Sequence, residues 1–425
     1  MFPYNFLNRK DVISREIRKL FDESINLEFL DSKSIINYQK NKIKNLLKGA
    51  KDIPFYSQYL RTTSNPQKVL QGLPIIDKKI ILDNFELMRN KNSFQEFQEI
   101  STSGTSGIKG RFLRTEDCNL RWFAHTFKIW VQNNVNVEKK HAFITNKLSK
   151  DPRKNKSYLA NLIKNCNHVA LSIFCDLDFQ IEWLEKEKPR YLTTFPTNLE
   201  HMFNKGYIPQ VEHIFTYGEP LDREFQNEFE FQAKIKITDS YSTTEAGINA
   251  QQCEYKNYHV NSDNYFLEIL PDAKNKQSKI GKIIITVFSN QALPLIRYNI
   301  GDYVFIAENK ICRCGRKSDF FSSIIGREIN QLRSETKGEI WANDAINYLR
   351  KIKSIKKFQI TQNKAGNITN ITINYMALRV LGENNIKNIK QEMKGIIDNN
   401  IKIEQVRNIE REESGKFPLI KREFN

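Results

Sequence analysis

The chain has 425 residues, which is too long for one ordinary compact core and favours two or three domains. Hydrophobic residues make up 40% of it and 28 residues are phenylalanine, which argues against global disorder. The formal net charge of +17 raises nucleic-acid binding as an alternative function, but the basic residues are scattered from Lys10 to Arg422, and we expect a solvated surface that favours anionic ligands.

The chain begins with 19 residues that carry charges throughout and lack the apolar core of a signal peptide. No later stretch approaches the ~18 apolar residues of a membrane span. The six cysteines do not form a disulfide framework in a chain of this size and suit a reducing compartment. We therefore expect a cytoplasmic protein without a membrane span.

The first elements along the chain are predicted helices. Residues 11–50 have apolar positions at helical spacing, and we expect these helices to pack on the outside of a larger domain. QEIST (98–102) is predicted to be a strand that leads into a loop rich in Gly, Ser and Thr. Residues 113–134 then have the pattern of a helix.

Between residues 135 and 290, short apolar segments alternate with helical patterns. This alternation predicts a largely parallel α/β sheet. FLEIL (266–270) and KIIITVF (282–288) instead predict a hairpin of an antiparallel subdomain. The predicted parallel strands are HAFIT, HVALSIF, YLTTF, HIFTYG and KIKITDSYS, and the predicted helices between them are DLDFQIEWLEKEK and LDREFQNEFEFQ.

The pattern changes after Gly326 and Arg327. A helix (342–353), a hairpin with KAGN at its tip (356–375), an amphipathic helix (383–400) and a strand (401–409) follow, which is typical of a small α+β domain. The predicted fold class is therefore α/β, with a large N-terminal domain (1–328) and a small C-terminal domain (331–425).

Residues 101–107 read STSGTSG, which places hydroxyls and glycines where backbone N–H groups could surround a polyphosphate. Alone, such a run is more often a plain turn, and no Gly-Lys-Ser/Thr ends it as in a P-loop. The interpretation of this run as a phosphate-binding loop depends on the order of the motifs that follow it. These are Gly218-Glu219-Pro220, Tyr241-Ser242-Thr243-Thr244-Glu245, Arg297-Tyr298-Asn299-Ile300-Gly301-Asp302, Gly326-Arg327 and Ser414-Gly415-Lys416-Phe417.

In this order and at these separations, the motifs resemble those of the adenylate-forming superfamily, which includes acyl-CoA synthetases, adenylation domains and luciferases. The resemblance spans residues 101 to 420. Within that superfamily the chain is most similar to the phenylacetate-CoA ligase branch with its CapK-like proteins. Three features carry this similarity: the compact length, the stretch PLIRYNIGD, and Cys312-Arg313-Cys314-Gly315-Arg316 after it.

The resemblance implies a role for each motif in the activation of a carboxylic acid by ATP and Mg²⁺. Glu245, with Thr244 and Thr105, would hold the metal ion. Asp302 would accept hydrogen bonds from the ribose, and Arg327 would meet ribose or phosphate. The remaining nucleotide-binding residues implied by the resemblance are Ser103, Gly104, Thr105, Ser106 and Gly107 for the phosphates, and Gly218, Glu219, Pro220 and Tyr241 for the adenine.

Lys416 would be the catalytic lysine, which a mobile loop of the small domain carries to the attacking carboxylate and the phosphate. The sequence departs from the family pattern at two places. Gly107-Ile108-Lys109-Gly110 lacks the usual proline, which leaves the role of Lys109 open. Asn330 stands where many relatives have a charged hinge residue, which leaves the hinge position open.

Four residues also match the ligand set of a structural zinc site. Cys253 and His259 form one short pair, and Cys312 and Cys314 form another about fifty residues later. Together they match the Cys3His sets that zinc prefers, with no position left for water. The alternative is that they are free thiols and a surface histidine.

These patterns lead to three hypotheses. The first is an adenylate-forming ligase that transfers the acyl group to coenzyme A. The second is transfer to an amine, which forms an amide, and the third is a basic nucleic-acid-binding protein that retains the fold. The acid is left open, since aromatic residues could line an acyl pocket or belong to the core, and a homodimer is also left open. Those aromatic residues are Trp122, Phe123, Trp130 and Phe195.

Overall fold

The computed structural model describes most of the chain. The described residues are 12–60, 65–93, 96–102, 110–146, 148, 167–272, 279–309, 311–327, 330–365, 368–377 and 379–424.

The chain starts with six helices, and the two long ones confirm the helices predicted for residues 11–50. The amphipathic helix α1 packs its buried face against a later helix of the large unit. The six are α1 (Val12–Leu27), α2 (Ser32–Ala50), α3 (Pro54–Ser57), α4 (Pro66–Gly72), α5 (Lys78–Asp83) and α6 (Phe85–Met88).

An antiparallel hairpin of β1 (Phe97–Ser101) and β2 (Arg111–Thr115) precedes the helix α7 (Glu116–Gln132). The helix predicted from residue 113 was therefore wrong at its start, because Leu113 to Thr115 pair with β1. Glu116 and Asp117 occupy the first turn of α7, where negative charge is favoured by the helix dipole.

The predicted alternation of strands and helices forms the parallel half of a large sheet. Parallel pairing gives the order β4-β3-β5-β6-β7. The sequence patterns located all five strands and two of the helices, but not α9. The elements are β3 (His141–Thr145), β4 (His168–Ser172), α8 (Leu177–Glu187), β5 (Tyr191–Thr194), α9 (Pro196–Asn204), β6 (His213–Tyr217), α10 (Arg223–Ala233) and β7 (Lys236–Thr243).

Six antiparallel strands continue the same sheet beyond β7. The predicted hairpin is confirmed as β10 and β11, which pair antiparallel at the far edge. The predicted parallel sheet and antiparallel subdomain are thus one continuous sheet of eleven described strands. The added strands are β8 (Gly247–Gln252), β9 (Tyr258–Val260), β10 (Tyr265–Pro271), β11 (Ile280–Val287), β12 (Tyr298–Ile306) and β13 (Phe320–Arg327).

The C-terminal residues form two small sheets and a hydrophobic core of their own, which confirms the predicted α+β pattern. The predicted helix 383–400 ends earlier, at Ile396, because Ile397 adopts an extended conformation before the next strand. These elements are β14 (Gln331–Ser334), β15 (Gly338–Trp341), α11 (Asn343–Arg350), β16 (Ile355–Ala365), β17 (Ile368–Ala377), α12 (Glu383–Ile396), β18 (Asn400–Gln405) and β19 (Ile420–Arg422).

The C-terminal unit contacts the parallel half of the large sheet through charged side chains. Arg350 of α11 donates two hydrogen bonds to Glu200 of α9, at 2.7 and 3.0 Å, and forms an ion pair with Asp222 at 3.1 Å. The ammonium of Lys356 donates to the carbonyl of Asn204 at 2.7 Å. Among the described residues, no helix is long and apolar enough to cross a membrane.

Candidate functional site

Three strands of the large sheet bring together the first cluster of predicted site residues. Asp302 of β12 lies directly opposite Arg327 of β13 in the antiparallel register. Its carboxylate accepts a hydrogen bond from Nε of Arg327 at 3.1 Å and one from the hydroxyl of Tyr241 at 2.7 Å. Burial and the Asp302 carboxylate raise the pKa of the Tyr241 phenol. The Tyr241 hydroxyl is therefore a fixed donor.

Glu245 lies beside this cluster, in the turn between β7 and β8. One oxygen of its buried carboxylate, Oε1, accepts a hydrogen bond from the hydroxyl of Tyr298 at 2.9 Å. Among the described residues, no hydrogen bond reaches the second oxygen, Oε2. Glu245 thus offers a positioned carboxylate oxygen to a ligand or a metal ion.

The neighbouring Thr244 is exposed, and its carbonyl accepts a hydrogen bond from the guanidinium of Arg114. The predicted phosphate loop, with Ser103, Gly104, Thr105, Ser106, Gly107 and also Lys109, lies outside the described residues. Its two flanks are held together, because the hydroxyl of Thr102 accepts a hydrogen bond from the amide of Gly110 at 3.0 Å. The β1–β2 hairpin fixes these flanks.

The Gly218-Glu219-Pro220 turn follows β6. Gly218 has a φ of +82°, and a Cβ there would meet the Phe195 ring at 3.0 Å, so glycine is required. The buried Glu219 carboxylate accepts hydrogen bonds from the backbone amide of Thr197 at 3.0 Å and from that of Phe417 at 2.6 Å. Pro220 is exposed. Glu219 therefore contacts the C-terminal segment, a role that the sequence did not indicate.

Those contacts bring Lys416 to the cluster around Asp302 and Glu245. Its ammonium is surrounded by charged groups, with Asp302, Glu219 and Glu245 as attractive neighbours and Arg327 as a repulsive one. Burial lowers the pKa of Lys416. Among the described residues, none forms a hydrogen bond with this ammonium. Lys416, Asp302 and Glu245, which the sequence places far apart, thus converge at one site.

The segment that carries Lys416 is docked on the large unit by further contacts. The side-chain amide of Asn146, just after β3, donates to the carbonyl of Ser414 at 2.5 Å. The guanidinium of Arg411 donates to the hydroxyl of Thr197 at 3.1 Å and lies 3.5 Å from Glu219. Sequence reasoning missed these residues because each contact joins positions more than 190 residues apart.

Lys78, the first residue of α5, also faces the site and was missed. Its ammonium has Glu245 and Asp302 as attractive neighbours and Arg327 and Lys416 as repulsive ones. No motif marks Lys78, and only the pairing of Ile76 beside Tyr298 brings it there.

The predicted zinc ligands do come together. One ligand atom from each of Cys253, His259, Cys312 and Cys314 lies within 4.8 Å of the other three. The Sγ atoms of Cys253 and Cys312 are 3.7 Å apart, and Sγ of Cys314 is 3.2 Å from Nε2 of His259. A tetrahedron with Zn–S bonds of ~2.3 Å has edges of about 3.8 Å, close to the sulfur separation. The four side chains therefore lie where they could hold a metal ion.

The aromatic residues considered for an acyl pocket separate into two groups. Trp130 and Phe195 are buried in hydrophobic cores. Trp122 is only partly buried, and its ring lies 3.7 Å from the position a Cβ would take on Gly247, two residues after Glu245. Phe123 is also partly buried against the core. Trp122 thus has a contact near Glu245, and the buried Phe195 has one with the Gly218 turn.

Comparison with known sequences gives two relatives, whereas no protein-family model matches the chain. The chain is 24% identical over 168 residues to a phenylacetate-coenzyme A ligase of Thermus thermophilus, in an alignment that spans 36% of the chain and 37% of that ligase. It is 22% identical over 361 residues to protein CapK of Staphylococcus aureus, which spans 81% and 79% of the two chains.

Comparison with solved structures gives similar folds over nearly the whole chain. A 2-hydroxyisobutyryl-CoA ligase in its postadenylation state superposes with a TM-score of 0.72 and 14% identity, covering 93% of this chain and 91% of that one. The same enzyme in its thioesterification state gives 0.58. An acyl acid amido synthetase gives 0.62 at 12% identity, covering 96% and 90%.

These comparisons confirm the resemblance that the sequence motifs predicted. The fold is that of the adenylate-forming ligases, and the two similar sequences match the phenylacetate-CoA ligase and CapK-like branch. The predicted fold class is confirmed as well.

Proposed function

We propose that this chain, which has the fold of the adenylate-forming ligases, is an enzyme that uses ATP to activate a carboxylic acid as its acyl-AMP and then transfers the acyl group. The observation that carries the proposal is the convergence of Lys416 with Glu245, Asp302 and Arg327. These charged side chains come from separate parts of the chain. Charged groups that the fold gathers in this way are typical of a functional site.

Each of these residues has a role that its contacts suit. Tyr241 and Arg327 hold Asp302 in position, and each of its carboxylate oxygens retains a lone pair for a ribose hydroxyl. Arg327 and Lys416 supply positive charge for the phosphates and for the attacking carboxylate. Burial lowers the pKa of Lys416, and an arriving anion would restore the preference for its charged form.

The metal ion of this reaction would be Mg²⁺, which prefers oxygen ligands and neutralises phosphate charge when bound. The residues fit it. Glu245 presents Oε2 without a hydrogen-bond partner among the described residues, while Tyr298 holds Oε1. The exposed hydroxyl of Thr244 adjoins it. The 103–107 loop would supply amide donors for the phosphates.

We also propose that the chain divides into two domains near residues 328–331, which would allow the C-terminal unit to move between the two steps. Two observations support this. That unit has its own core, and several of its contacts with the large unit join charged side chains, as those of Arg350 do, beside ring contacts of Trp341 with Tyr303 and of Phe417 with His201. The structure also superposes better on the postadenylation state of the similar ligase than on its thioesterification state.

Coenzyme A is the acceptor that we favour, because the phenylacetate ligase and the 2-hydroxyisobutyryl ligase are named for it. The second candidate is an amine, which the similarity in fold to the amido synthetase supports. A third possibility, a nucleic-acid-binding protein that retains the fold, gives no account of the buried Glu245 and Asp302 or of the partly buried Lys416 beside them.

The test is a screen of carboxylic acids for acid-dependent release of pyrophosphate from ATP and Mg²⁺. We expect release with a subset of acids, and thioester or amide products once coenzyme A or amines are added. No release with any acid, together with no binding of ATP, would contradict the proposal. Binding of DNA or RNA in its place would favour the third possibility.

We further propose that Cys253, His259, Cys312 and Cys314 hold a structural zinc ion. Four ligands leave no position for water, so the ion would have no part in the reaction. It would join the loop after β8 to the loop between β12 and β13, and β12 carries Asp302. The support is the mutual proximity of the four ligand atoms and the 3.7 Å separation of the Cys253 and Cys312 sulfurs, which is close to the edge of a zinc tetrahedron.

Elemental analysis of protein purified without a chelator tests the zinc site. We expect about one zinc per chain, its loss in the Cys312→Ser/Cys314→Ser variant, and its retention in Cys175→Ser, which changes a cysteine outside the cluster. Because metal binding adds to the stability of the folded state, removal of zinc should also lower the melting temperature. Metal-free wild-type protein, or zinc retained by the double variant, would refute the site.

A further inference from the structure

The segment before α5 is held beside the functional site by the large sheet. Ile76 pairs parallel with Tyr298: its amide donates to the carbonyl of Arg297 at 3.1 Å, and its carbonyl accepts from the amide of Asn299 at 2.8 Å. The guanidinium of Arg297 also donates to the carbonyl of Leu73 at 2.7 Å. The backbone of this segment is therefore fixed relative to Tyr298, the residue that positions Glu245.

The start of α5 follows directly from this pairing. Asp77 is the N-cap, and its carboxylate accepts a hydrogen bond from the amide of Ile80 at 2.8 Å. Lys78 is thus the first helical residue, two positions after Ile76. The sheet pairing and the cap together fix where the Lys78 side chain begins.

Lys78 and Lys79 are adjacent in sequence but have opposite surroundings. Lys79 is exposed and forms an ion pair with Asp83 one turn later, at 2.5 Å. The ammonium of Lys78 instead lies within electrostatic reach of Glu245, Asp302, Arg327 and Lys416. Among the described residues, none forms a hydrogen bond or an ion pair with it.

The charges at the site leave Lys78 available to a ligand. Three cations, Lys78, Arg327 and Lys416, lie near Asp302 and Glu245, and Lys416 also lies near Glu219. Asp302 is already engaged by Arg327 and Tyr241, one oxygen of Glu245 by Tyr298, and Glu219 by the amides of Thr197 and Phe417. A partly buried cation without a partner is costly, and an anion that reaches all three cations would remove that cost.

The geometry points to Lys78 as a third cationic contact of the site, one that binds phosphoryl oxygens of the nucleotide; this inference rests on the proposed function. A lysine suits the role because its ammonium is a compact point charge that can follow the phosphates on a flexible stem. Burial lowers the pKa of Lys78, because it disfavours the charged form of the ammonium. A bound anion would favour that charged form again.

The experiment is equilibrium binding of ATP with Mg²⁺, and separately of adenosine, to wild type, Lys78→Ala and Lys79→Ala. For Lys78→Ala we expect ATP binding to be about 10- to 100-fold weaker, which corresponds to the loss of one charge-assisted hydrogen bond. Adenosine binding should be unchanged, because adenosine has no phosphate. Lys79→Ala should match the wild type for both ligands. Lys78→Arg should recover part of the loss, because it keeps the charge.

Alanine is a strong helix former and Asp77 remains as the cap, so Lys78→Ala should fold with a melting temperature close to that of the wild type. Equal ATP affinity in Lys78→Ala and Lys79→Ala would overturn the inference, as would an equal loss for adenosine and ATP. If the wild type releases pyrophosphate normally in either of those cases, only the role of Lys78 fails. A wild type that binds no ATP would overturn the proposed function and, with it, this inference.

Discussion

At the scale of single residues, the site depends on side chains that hold its carboxylates in position through hydrogen bonds. Tyr298 fixes one oxygen of Glu245, and Tyr241 and Arg327 fix Asp302. The sequence motifs named Glu245, Asp302 and Arg327 because the resemblance supplies their roles. They did not name Lys78 or Tyr298 as parts of the site, because position relative to a partner distant in sequence appears only in the folded chain.

Glu245→Gln separates the metal role of this residue from its structural role. Glutamine keeps an oxygen that can accept the hydrogen bond from Tyr298, but it removes the negative charge that a hard cation needs. We expect acid-dependent pyrophosphate release to fall by roughly 10²- to 10³-fold, with the melting temperature little changed. Glu228→Gln, on the exposed face of α10, is the matched control. If Glu245→Gln released pyrophosphate at the wild-type rate, the proposal that Glu245 binds the metal ion would be refuted.

At the scale of elements, the sequence predicted the strands and helices that have a regular local pattern. It did not predict pairings between segments that are distant in sequence. The parallel strands β3 to β7 are short apolar segments bounded by polar residues, and all were located. The residues Leu113 to Thr115 were assigned to a helix because they adjoin one. Their pairing with β1 depends on partners on the other side of residues 103–109, which no local pattern contains. The same reason explains the missed contact of Ile76 with Tyr298.

The docking of the segment around Lys416 depends on the absence of a side chain at Gly415. Its φ is +79°, and a Cβ there would lie 2.5 Å from Cβ of Asn146. Gly415→Ala should therefore displace this segment and slow acyl-AMP formation at least tenfold, without unfolding the C-terminal core. Rates of pyrophosphate release and melting temperatures are the measurements.

A second substitution in the same contact tests this explanation. Asn146→Gly removes the Cβ that an alanine at position 415 would strike, but it also removes the hydrogen bond from the Asn146 amide to the carbonyl of Ser414. Gly415→Ala should therefore slow the reaction less in an Asn146→Gly background than in the wild type, although the strain of positive φ remains. Gly382→Ala is the control, since a Cβ there meets nothing within 4 Å. A Gly415→Ala variant as active as Gly382→Ala would contradict the docking argument.

At the scale of the whole molecule, two units with separate cores meet at a charged site. The sequence predicted the small α+β unit from its change of pattern after Arg327, and its fold is as expected. It could not predict how the units are arranged, because the contacts of Arg350 with Glu200 and of Arg411 with Glu219 join residues that carry no shared local pattern. That arrangement is what brings Lys416 to Asp302 and Glu245.

If the C-terminal unit moves after acyl-AMP formation, Lys416 should matter in only one half-reaction. In the present arrangement its ammonium lies among Asp302, Glu245 and Arg327, where charge would develop during attack on the phosphate. Lys416→Ala should therefore slow acyl-AMP formation by roughly 10²- to 10³-fold. Transfer of the acyl group from supplied acyl-AMP should be much less affected, since the C-terminal unit would have rotated away for that step.

Lys421→Ala is the control for this prediction. It removes an exposed charge that pairs with Glu423 in the same unit, and it should alter neither rate. The two half-reactions are measured separately, as acid-dependent pyrophosphate release and as product formation from synthetic acyl-AMP. An equal loss in both would mean that Lys416 stays at the site throughout, and the C-terminal unit would then not alternate between the two steps.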